Sequence, residues 1–224
     1  MRRKSVFLSG PATLDGVTFA ASPTKVLIPV REIANGLGIP FGKAKGRIVL
    51  GKTPLEAKGP KLANGTRLIP LQDLRRFGVS VVWDRKHHRS KLYKGAKVLY
   101  VRRGQKRIFI DKAHQTIRAL QGGRTVLRSH VSTGVEAKAT PNGIFKVQPY
   151  RARVHKSKLY QGARMPYAVE IVGNIFVHGW PKVSGIPASH GCIRLPETGG
   201  NPALFFYRWA DVGTPVVIWG KWRG

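Results

Sequence analysis

The sequence predicts an α+β fold in two parts, a small N-terminal α+β repeat module and a mostly β C-terminal domain. Two observations support this prediction. A pattern of strand, proline and helix occurs twice in the first part, and short apolar or alternating runs separated by glycine turns fill the second. The 224 residues, of which 42% are hydrophobic, suffice to bury a core in one or two domains.

The repeat in the first part aligns residues 26–33 with residues 67–74. In each copy a short apolar strand reaches a proline, and a helix is expected there because proline suits the first helical turn. Glycine follows each predicted helix, at Gly36 and Gly38 in one copy and at Gly78 in the other. The pattern predicts a small module that pairs two strand–helix units.

We place this module at residues 6–94, with residues 6–8 as its first strand and residues 14–16 as a turn. Its paired units and its closing Val81-Val82-Trp83-Asp84 resemble the copper amine oxidase N-terminal-like stalk module of bacterial surface proteins. Despite that name, His87 and His88 would make a poor copper chelate, because adjacent side chains of a strand point to opposite faces.

The second predicted domain covers residues 98–220. It begins as a β-meander and contains later strands and one helix led by Pro202. These elements are expected at residues 107–110, 115–120, 124–131, 144–147, 171–177 and 216–219, with the helix at residues 201–209.

The charge of the chain is strongly basic. Forty Lys and Arg residues against ten Asp and Glu give a net charge of +30, which attracts polyanions such as nucleic acid, anionic lipid or acidic wall polymers. A solvated basic surface without a specific partner is an equal alternative. We expect no transmembrane segment, because no apolar run reaches about 18 residues. Arg2-Arg3-Lys4 could begin a signal peptide, but the stretch after it is too polar to read clearly as one.

The single cysteine lies in Ser189-His190-Gly191-Cys192-Ile193-Arg194-Leu195, downstream of a second histidine, His178, which closes an apolar strand. A thiol, a base to ionise it and a cation to hold an anion are the parts of a cysteine nucleophile site. Gly191 allows a tight turn, and its amide and that of Cys192 could form an oxyanion hole. We expect Cys192 to be a thiolate of low pKa.

Two other interpretations stay open for these residues. His178, His190 and Cys192 are acceptable zinc ligands, although the close ligand pairs of typical zinc motifs are missing. In a purely structural interpretation both histidines satisfy backbone groups and Cys192 packs in the core.

Several motifs, in this order, resemble the YkuD-type L,D-transpeptidase catalytic domain, over about residues 106–220. They are Val131-Ser132-Thr133-Gly134, Thr140-Pro141-Asn142-Gly143-Ile144-Phe145, Met165-Pro166-Tyr167, His178-Gly179, the cysteine segment and Gly213-Thr214-Pro215-Val216. The spacer between His178 and Ser189 is about two residues shorter than the commonest pattern of the family, which affects the expected shape of the acceptor side.

The resemblance implies a mixed β fold and catalysis on peptidoglycan stem peptides. It makes Cys192 the nucleophile that carries the acyl group and His178 its base, with His178 oriented by the carbonyl of Gly179 and the pocket supported by His190. It implies no metal and no organic cofactor. The residues expected to bind substrate or shape its cleft are Arg194, Ser189, Gly191, Trp180 and Tyr167; ordinary packing is favoured for the other candidate aromatics, Tyr150 and Tyr160.

The sequence therefore predicts a peptidoglycan L,D-transpeptidase in an extracytoplasmic location, the cell wall or the periplasm. Its expected partners are stem peptides and anionic cell-wall polymers, with no specific nucleic acid. An L,D-carboxypeptidase that uses water as acceptor is one alternative, and a non-catalytic basic protein that binds the wall or nucleic acid is another. The N-terminal module is expected to be dispensable for the chemistry.

Overall fold

The structure, a computed structural model, describes residues 11–222. Strands make up 49% of the residues and helices 12%, so the fold is mostly β. The strand predicted at residues 6–8 lies outside the described residues.

The described chain divides into two compact units. The first consists of residues 11–16, Val26–Pro60 and Arg67–Arg103, and the second consists of Val17–Lys25, Lys61–Thr66 and residues 104–222. The bounds predicted from the sequence, 6–94 and 98–220, stay a prediction, and so does an independent N-terminal α+β module.

The N-terminal part of the chain forms two sheets. Its elements are β1 (Thr13–Phe19), β2 (Ser22–Pro29), α1 (Val30–Leu37), β3 (Phe41–Ala44), β4 (Arg47–Leu50), β5 (Thr53–Pro54), β6 (Leu68–Pro70), a 3-10 helix (Leu71–Phe77), β7 (Ser80–Asp84), β8 (Arg89–Lys94) and β9 (Lys97–Arg103). One sheet has the strand order β6-β2-β1-β9-β8-β7 and the other the order β3-β4-β5.

The two copies of the repeat pair with each other. Ile28 of β2 lies opposite Ile69 of β6 in an antiparallel ladder, and each strand ends at a proline that directly precedes the following helix. Gly38 ends α1 in the left-handed conformation, which glycine adopts without strain. Two expectations need correction: the second helix is a 3-10 helix, and residues 14–16 lie in β1 instead of a turn.

The C-terminal part also forms two sheets. Its elements are β10 (Lys106–Asp111), β11 (Thr116–Gln121), β12 (Arg124–His130), a 3-10 helix (Glu136–Lys138), β13 (Gly143–Lys146), β14 (Arg151–Lys156), β15 (Arg164–Val172), β16 (Ile175–Trp180), β17 (Ile193–Pro196), α2 (Pro202–Trp209) and β18 (Pro215–Trp219). The strand orders are β12-β11-β10-β18-β13 and β14-β15-β16-β17.

Most predicted elements of this part are confirmed. The three meander strands, β13, β18 and α2 lie where the sequence placed them, and the side chain of Asn201 caps α2 by accepting the N–H of Leu204 at 2.9 Å. The single strand expected at residues 171–177 is wrong, because Gly173 and Asn174 turn the chain between β15 and β16.

A buried polar cluster ties Val17–Lys25 into the second unit. The N–H of Thr18 donates to the Gln121 side-chain oxygen at 3.1 Å, and the Gln121 amide donates back to the Thr18 hydroxyl at 3.0 Å. The indole N–H of Trp209 donates to the same Gln121 oxygen at 3.0 Å. All three side chains are fully buried, so each of these bonds satisfies a group that water does not reach.

Across residues 11–222, no helix is both long and apolar enough to cross a membrane.

Candidate active site

The parallel pairing of β16 with β17 brings the predicted site together. His178 lies opposite Arg194, and Val177 lies opposite Ile193, so Cys192 comes just before the first paired residue of β17. Side chains alternate between the faces of a sheet, and directly opposed residues share a face. His178 and Arg194 therefore share one face. Cys192 packs against a cluster that contains Phe176, which precedes His178 by two residues and shares its face.

The His178 ring is buried and has a defined tautomer. It is 3% exposed, and its Nδ1 lies 2.8 Å from the carbonyl oxygen of Gly179. A carbonyl oxygen only accepts hydrogen bonds, so Nδ1 carries the proton and Nε2 is left with a lone pair. Burial lowers the pKa of His178 from 6.5 to about 4, with smaller lowering effects from Arg194 and His155 and an opposing one from the Gly179 bond.

The Cys192 thiol is partly buried against Met165, Ala168 and Phe176. Burial raises the pKa of this thiol above its ordinary value, although a backbone hydrogen bond from Phe176 and the charge of Arg194 act to lower it. Low-dielectric surroundings disfavour the thiolate and the imidazolium alike. The predicted low-pKa thiolate of Cys192 is therefore wrong for the free protein, which favours a neutral thiol and a neutral imidazole.

The loop before Cys192 is fixed by Ser189. The buried Ser189 hydroxyl donates to the carbonyl oxygen of Cys192 at 2.5 Å and accepts the N–H of Gly191 at 3.1 Å. Gly191 has φ +115°, a conformation that favours glycine. Because the Gly191 amide already has a partner, the expected oxyanion hole that used this amide needs correction.

Thr140 connects two of the sequence motifs to this loop. Its hydroxyl donates to the carbonyl oxygen of Gly191 at 2.7 Å and accepts the N–H of Gly134 at 2.9 Å, and Thr140 is fully buried. Gln115 supports the same region by bonding both the backbone N–H and the hydroxyl of Thr133, each at 2.8 Å. Sequence reasoning noted the Thr140 motif without a role for it and missed Gln115.

Arg194 and Trp180 lie beside the two reactive side chains. The Arg194 guanidinium stacks 4.0 Å above the Trp180 ring, and its Nη1 donates to the Ala188 carbonyl at 2.7 Å. The Arg194 Nε is buried, and no atom of the described residues bonds to it. The Trp180 ring lies 6.1 Å from the His178 ring. The site therefore keeps a cation with a spare donor next to the thiol.

The family model for the L,D-transpeptidase catalytic domain matches residues 105–218. The chain belongs to this family. The match begins after the N-terminal part, so the resemblance of residues 6–94 to the copper amine oxidase N-terminal-like module gains no support from it.

Solved L,D-transpeptidases are similar to the chain at low identity. One from Stackebrandtia nassauensis is 25% identical with a TM-score of 0.48, and it aligns over 54% of this chain and 58% of its own length. One from Xylanimonas cellulosilytica DSM 15894 is 31% identical with a TM-score of 0.43, over 52% and 61%.

One from Mycobacterium tuberculosis H37Rv is 17% identical with a TM-score of 0.47, over 96% and 97%. The chain thus spans less than two thirds of the length of the first two structures. No curated protein matches it.

Two residues that the family resemblance suggested make ring contacts with other aromatic side chains. His190 of this family member is exposed, and its ring packs 4.8 Å from the Tyr160 ring. The Tyr167 ring lies 6.1 Å from the Tyr207 ring of α2, and the Tyr167 backbone has φ +55°. Their proposed parts in catalysis and substrate binding stay predictions.

The structure also brings to the site residues that sequence reasoning missed. His155 of β14 stacks on Phe176, with ring centroids 4.9 Å apart, and bonds the hydroxyl of Tyr150 at 2.7 Å. No motif marked His155, because the sequence of β14 is basic and lacks a clear alternation of polar and apolar residues. Within residues 11–222 no three His, Cys, Asp or Glu side chains come together to hold a metal ion.

Proposed function

We propose that this chain is a peptidoglycan L,D-transpeptidase that forms a thioacyl-enzyme on Cys192. The family match supports the class of enzyme. The single observation that carries the residue assignment is the β16–β17 register, which supports a common face for His178 and Cys192. The donor is a stem tetrapeptide, cut between the L-centre of its diamino acid and its terminal D-alanine.

Acylation starts from the neutral pair. The Cys192 sulfur attacks the donor carbonyl while Nε2 of His178 takes the thiol proton, so the thiolate forms only as its bond to carbon forms. The imidazolium then gives this proton to the departing amine of D-alanine. An imidazolium whose pKa is about 4 is a strong donor for that step.

Arg194 supports the negative charge that develops in this step. Its charge acts to lower the pKa of Cys192, which means that it favours the anionic sulfur. Its guanidinium, stacked on the Trp180 ring, also attracts a substrate carboxylate through its charge.

The second half of the reaction passes the acyl group to the side-chain amine of another stem peptide, which cross-links the wall. An L,D-carboxypeptidase would use water instead. Neither route requires a metal or an organic cofactor. We propose an extracytoplasmic location for the chain, where its net charge of +30 attracts anionic wall polymers.

The test is incubation with tetrapeptide-containing disaccharides followed by mass spectrometry of the muropeptides and of the intact protein. A cross-linked dimer together with a thioacyl adduct is the expected result, and a tripeptide alone selects the carboxypeptidase. Cys192→Ala should form neither product. If the unmodified chain forms neither, it is a non-catalytic wall-binding protein.

The roles of the two histidines can be separated with a carbapenem, since one solved L,D-transpeptidase is described in complex with imipenem. We expect His178→Ala to abolish the adduct and His190→Ala to slow it only partly, because His178 is buried on the sheet face that it shares with Arg194, whereas His190 is exposed. Normal acylation of His178→Ala would contradict its role as the base.

A further inference from the structure

A third histidine lies on the thiol face of the four-stranded sheet. His155 of β14 is in register with Met165 of β15, and Met165 belongs to the cluster that packs against Cys192. His155 is therefore close to the reactive sulfur although it is far from it in sequence. Phe176 links the two: the His155 ring stacks on the Phe176 ring, and Cys192 packs against the cluster that contains Phe176.

The His155 ring is held by two different contacts. It stacks on Phe176 with centroids 4.9 Å apart and an angle of 25° between the planes, and its Nδ1 lies 2.7 Å from the Tyr150 hydroxyl. The Tyr150 ring also packs edge-on against Phe176 at 5.8 Å. An imidazole fixed on a half-buried wall is positioned in the way that a reacting group requires. With Nδ1 engaged, Nε2 is the ring atom left for a substrate.

The surroundings of His155 supply charge of both signs. The Glu170 carboxylate is engaged with the backbone N–H of Asn174 at 3.2 Å. His155 bonds Tyr150, and its own strand and the strands β15 and β16 carry these titratable or charged groups: Arg151, Arg153, Lys156, Arg164, Tyr167, Glu170 and His178. Arg194 of β17 and Cys192 lie further along the sheet.

The proposed reaction has a proton that His178 does not account for. An acceptor amine reaches the site as an ammonium ion, and its nitrogen loses two protons as the amide forms. The new C–N bond replaces the C–S bond, and one proton returns through His178 to the departing Cys192 sulfur. The other proton must leave first, because an ammonium has no lone pair with which to attack.

We propose that His155 is the group that accepts this first proton from the acceptor ammonium and passes it to solvent. This proposal rests on the proposed thioacyl route and deepens it, since it assigns a residue to the acceptor half-reaction. An imidazole nitrogen with a lone pair is a general base, and the half-buried position of His155 keeps its ring within reach of water. Water as acceptor carries no such extra proton, so His155 favours transfer over hydrolysis.

The test uses the full chain carrying His155→Phe, which keeps a ring on Phe176 and removes the proton acceptor. His114→Phe is the matched control, because His114 is an exposed histidine of the same unit bonded to Asp111. Each protein is acylated with a tetrapeptide donor, and the acyl group is then partitioned between a diamino acid acceptor and water. Hydroxylamine serves as a second acceptor, since it is uncharged at neutral pH.

We expect His155→Phe to form the thioacyl-enzyme and to lose about a hundredfold in transfer to the ammonium acceptor. Transfer to hydroxylamine should be unchanged, and transfer to the ammonium acceptor should recover as rising pH deprotonates that amine. Tyr150→Phe should give a smaller loss of the same kind.

Normal acylation with an unchanged ratio of transfer to hydrolysis overturns this proposal alone. An equal loss with hydroxylamine also overturns it, because a packing defect would affect both acceptors. If the unmodified chain is not acylated, the proposed function fails and this proposal fails with it.

Discussion

Burial of His178 should make the stability of the second unit depend on pH. The folded pKa is about 4 and the ordinary value is 6.5, so between these values the unfolded chain binds a proton that the folded chain does not. Stability therefore rises with pH in this window. The contribution of neutral His178 is fully present above about pH 6.5 and is lost as the pH falls toward the folded pKa.

The size of this effect follows from the two pKa values. The shift from 6.5 to about 4 corresponds, at about 1.4 kcal/mol per pKa unit, to a limit of about 3 kcal/mol. At about pH 5 the linkage relation gives a loss of about 2 kcal/mol relative to neutral pH. Solvent screening reduces this little, because His178 is 3% exposed.

His178→Gln removes the titration and keeps a polar side chain. Urea unfolding of both proteins, followed by tryptophan fluorescence at about pH 7.5 and about pH 5, measures the difference. Four of the five tryptophans, Trp180, Trp209, Trp219 and Trp222, lie in the second unit, so fluorescence reports mainly on it. The unmodified chain should lose about 2 kcal/mol more than the variant between these conditions.

Both proteins carry all the other titrating groups, so the contribution of those groups cancels in the difference between them. The difference therefore concerns His178 alone. An equal pH dependence in the two proteins would refute the buried neutral imidazole. A difference of opposite sign would indicate that Cys192 and His178 form an ion pair. An imidazolium paired with a thiolate has a raised pKa and stabilises the fold at low pH.

Three further outcomes are expected. Iodoacetamide alkylation of Cys192 should show its inflection above about 8.5, the ordinary thiol value, because burial raises the pKa of the thiol; an inflection below it would contradict the neutral thiol. Thr140→Val leaves the Gly134 N–H buried without its acceptor, so it should lower the free energy of unfolding in urea by about 1–3 kcal/mol and slow acylation. The control Thr125→Val, at an exposed position of β12, should change neither. A chain that starts near Tyr93 lacks Thr18 and its bonds to Gln121, so its second unit should have a lower melting temperature than in the full chain. Equal melting temperatures would show that the segment Val17–Lys25 adds no stability.

Local patterns predicted much of the fold because local physics decides those elements. The proline before α1, the glycine after it and Pro202 in the first turn of α2 act within a few residues, and all three are confirmed. The turn between β15 and β16 was missed because apolar residues continue on both sides of Gly173 and Asn174. Periodicity alone does not separate one long strand from two short ones in such a run.

The residue types of the site were visible in the sequence, but their charge states were not. The sequence shows a thiol, a base and a cation, and the simplest expectation from those neighbours is an ion pair. Burial favours the neutral thiol instead. The residues that bury it are Met165, Ala168 and Phe176, which lie on the two strands β15 and β16. Likewise, the bond that occupies the Gly191 amide depends on how the Ser189 side chain turns in the folded loop.

A neutral pair changes what the rest of the site must do. His178 carries one proton at a time, from the thiol to the leaving amine in acylation and from the attacking amine to the sulfur in transfer. An imidazole whose pKa is about 4 does not also hold the extra proton of an ammonium acceptor near neutral pH. The same burial that makes His178 a strong donor to the leaving group thus creates the need for a second base. His155 is the histidine stacked on Phe176, a member of the cluster against which Cys192 packs, and it is bonded to Tyr150 and half-exposed to water.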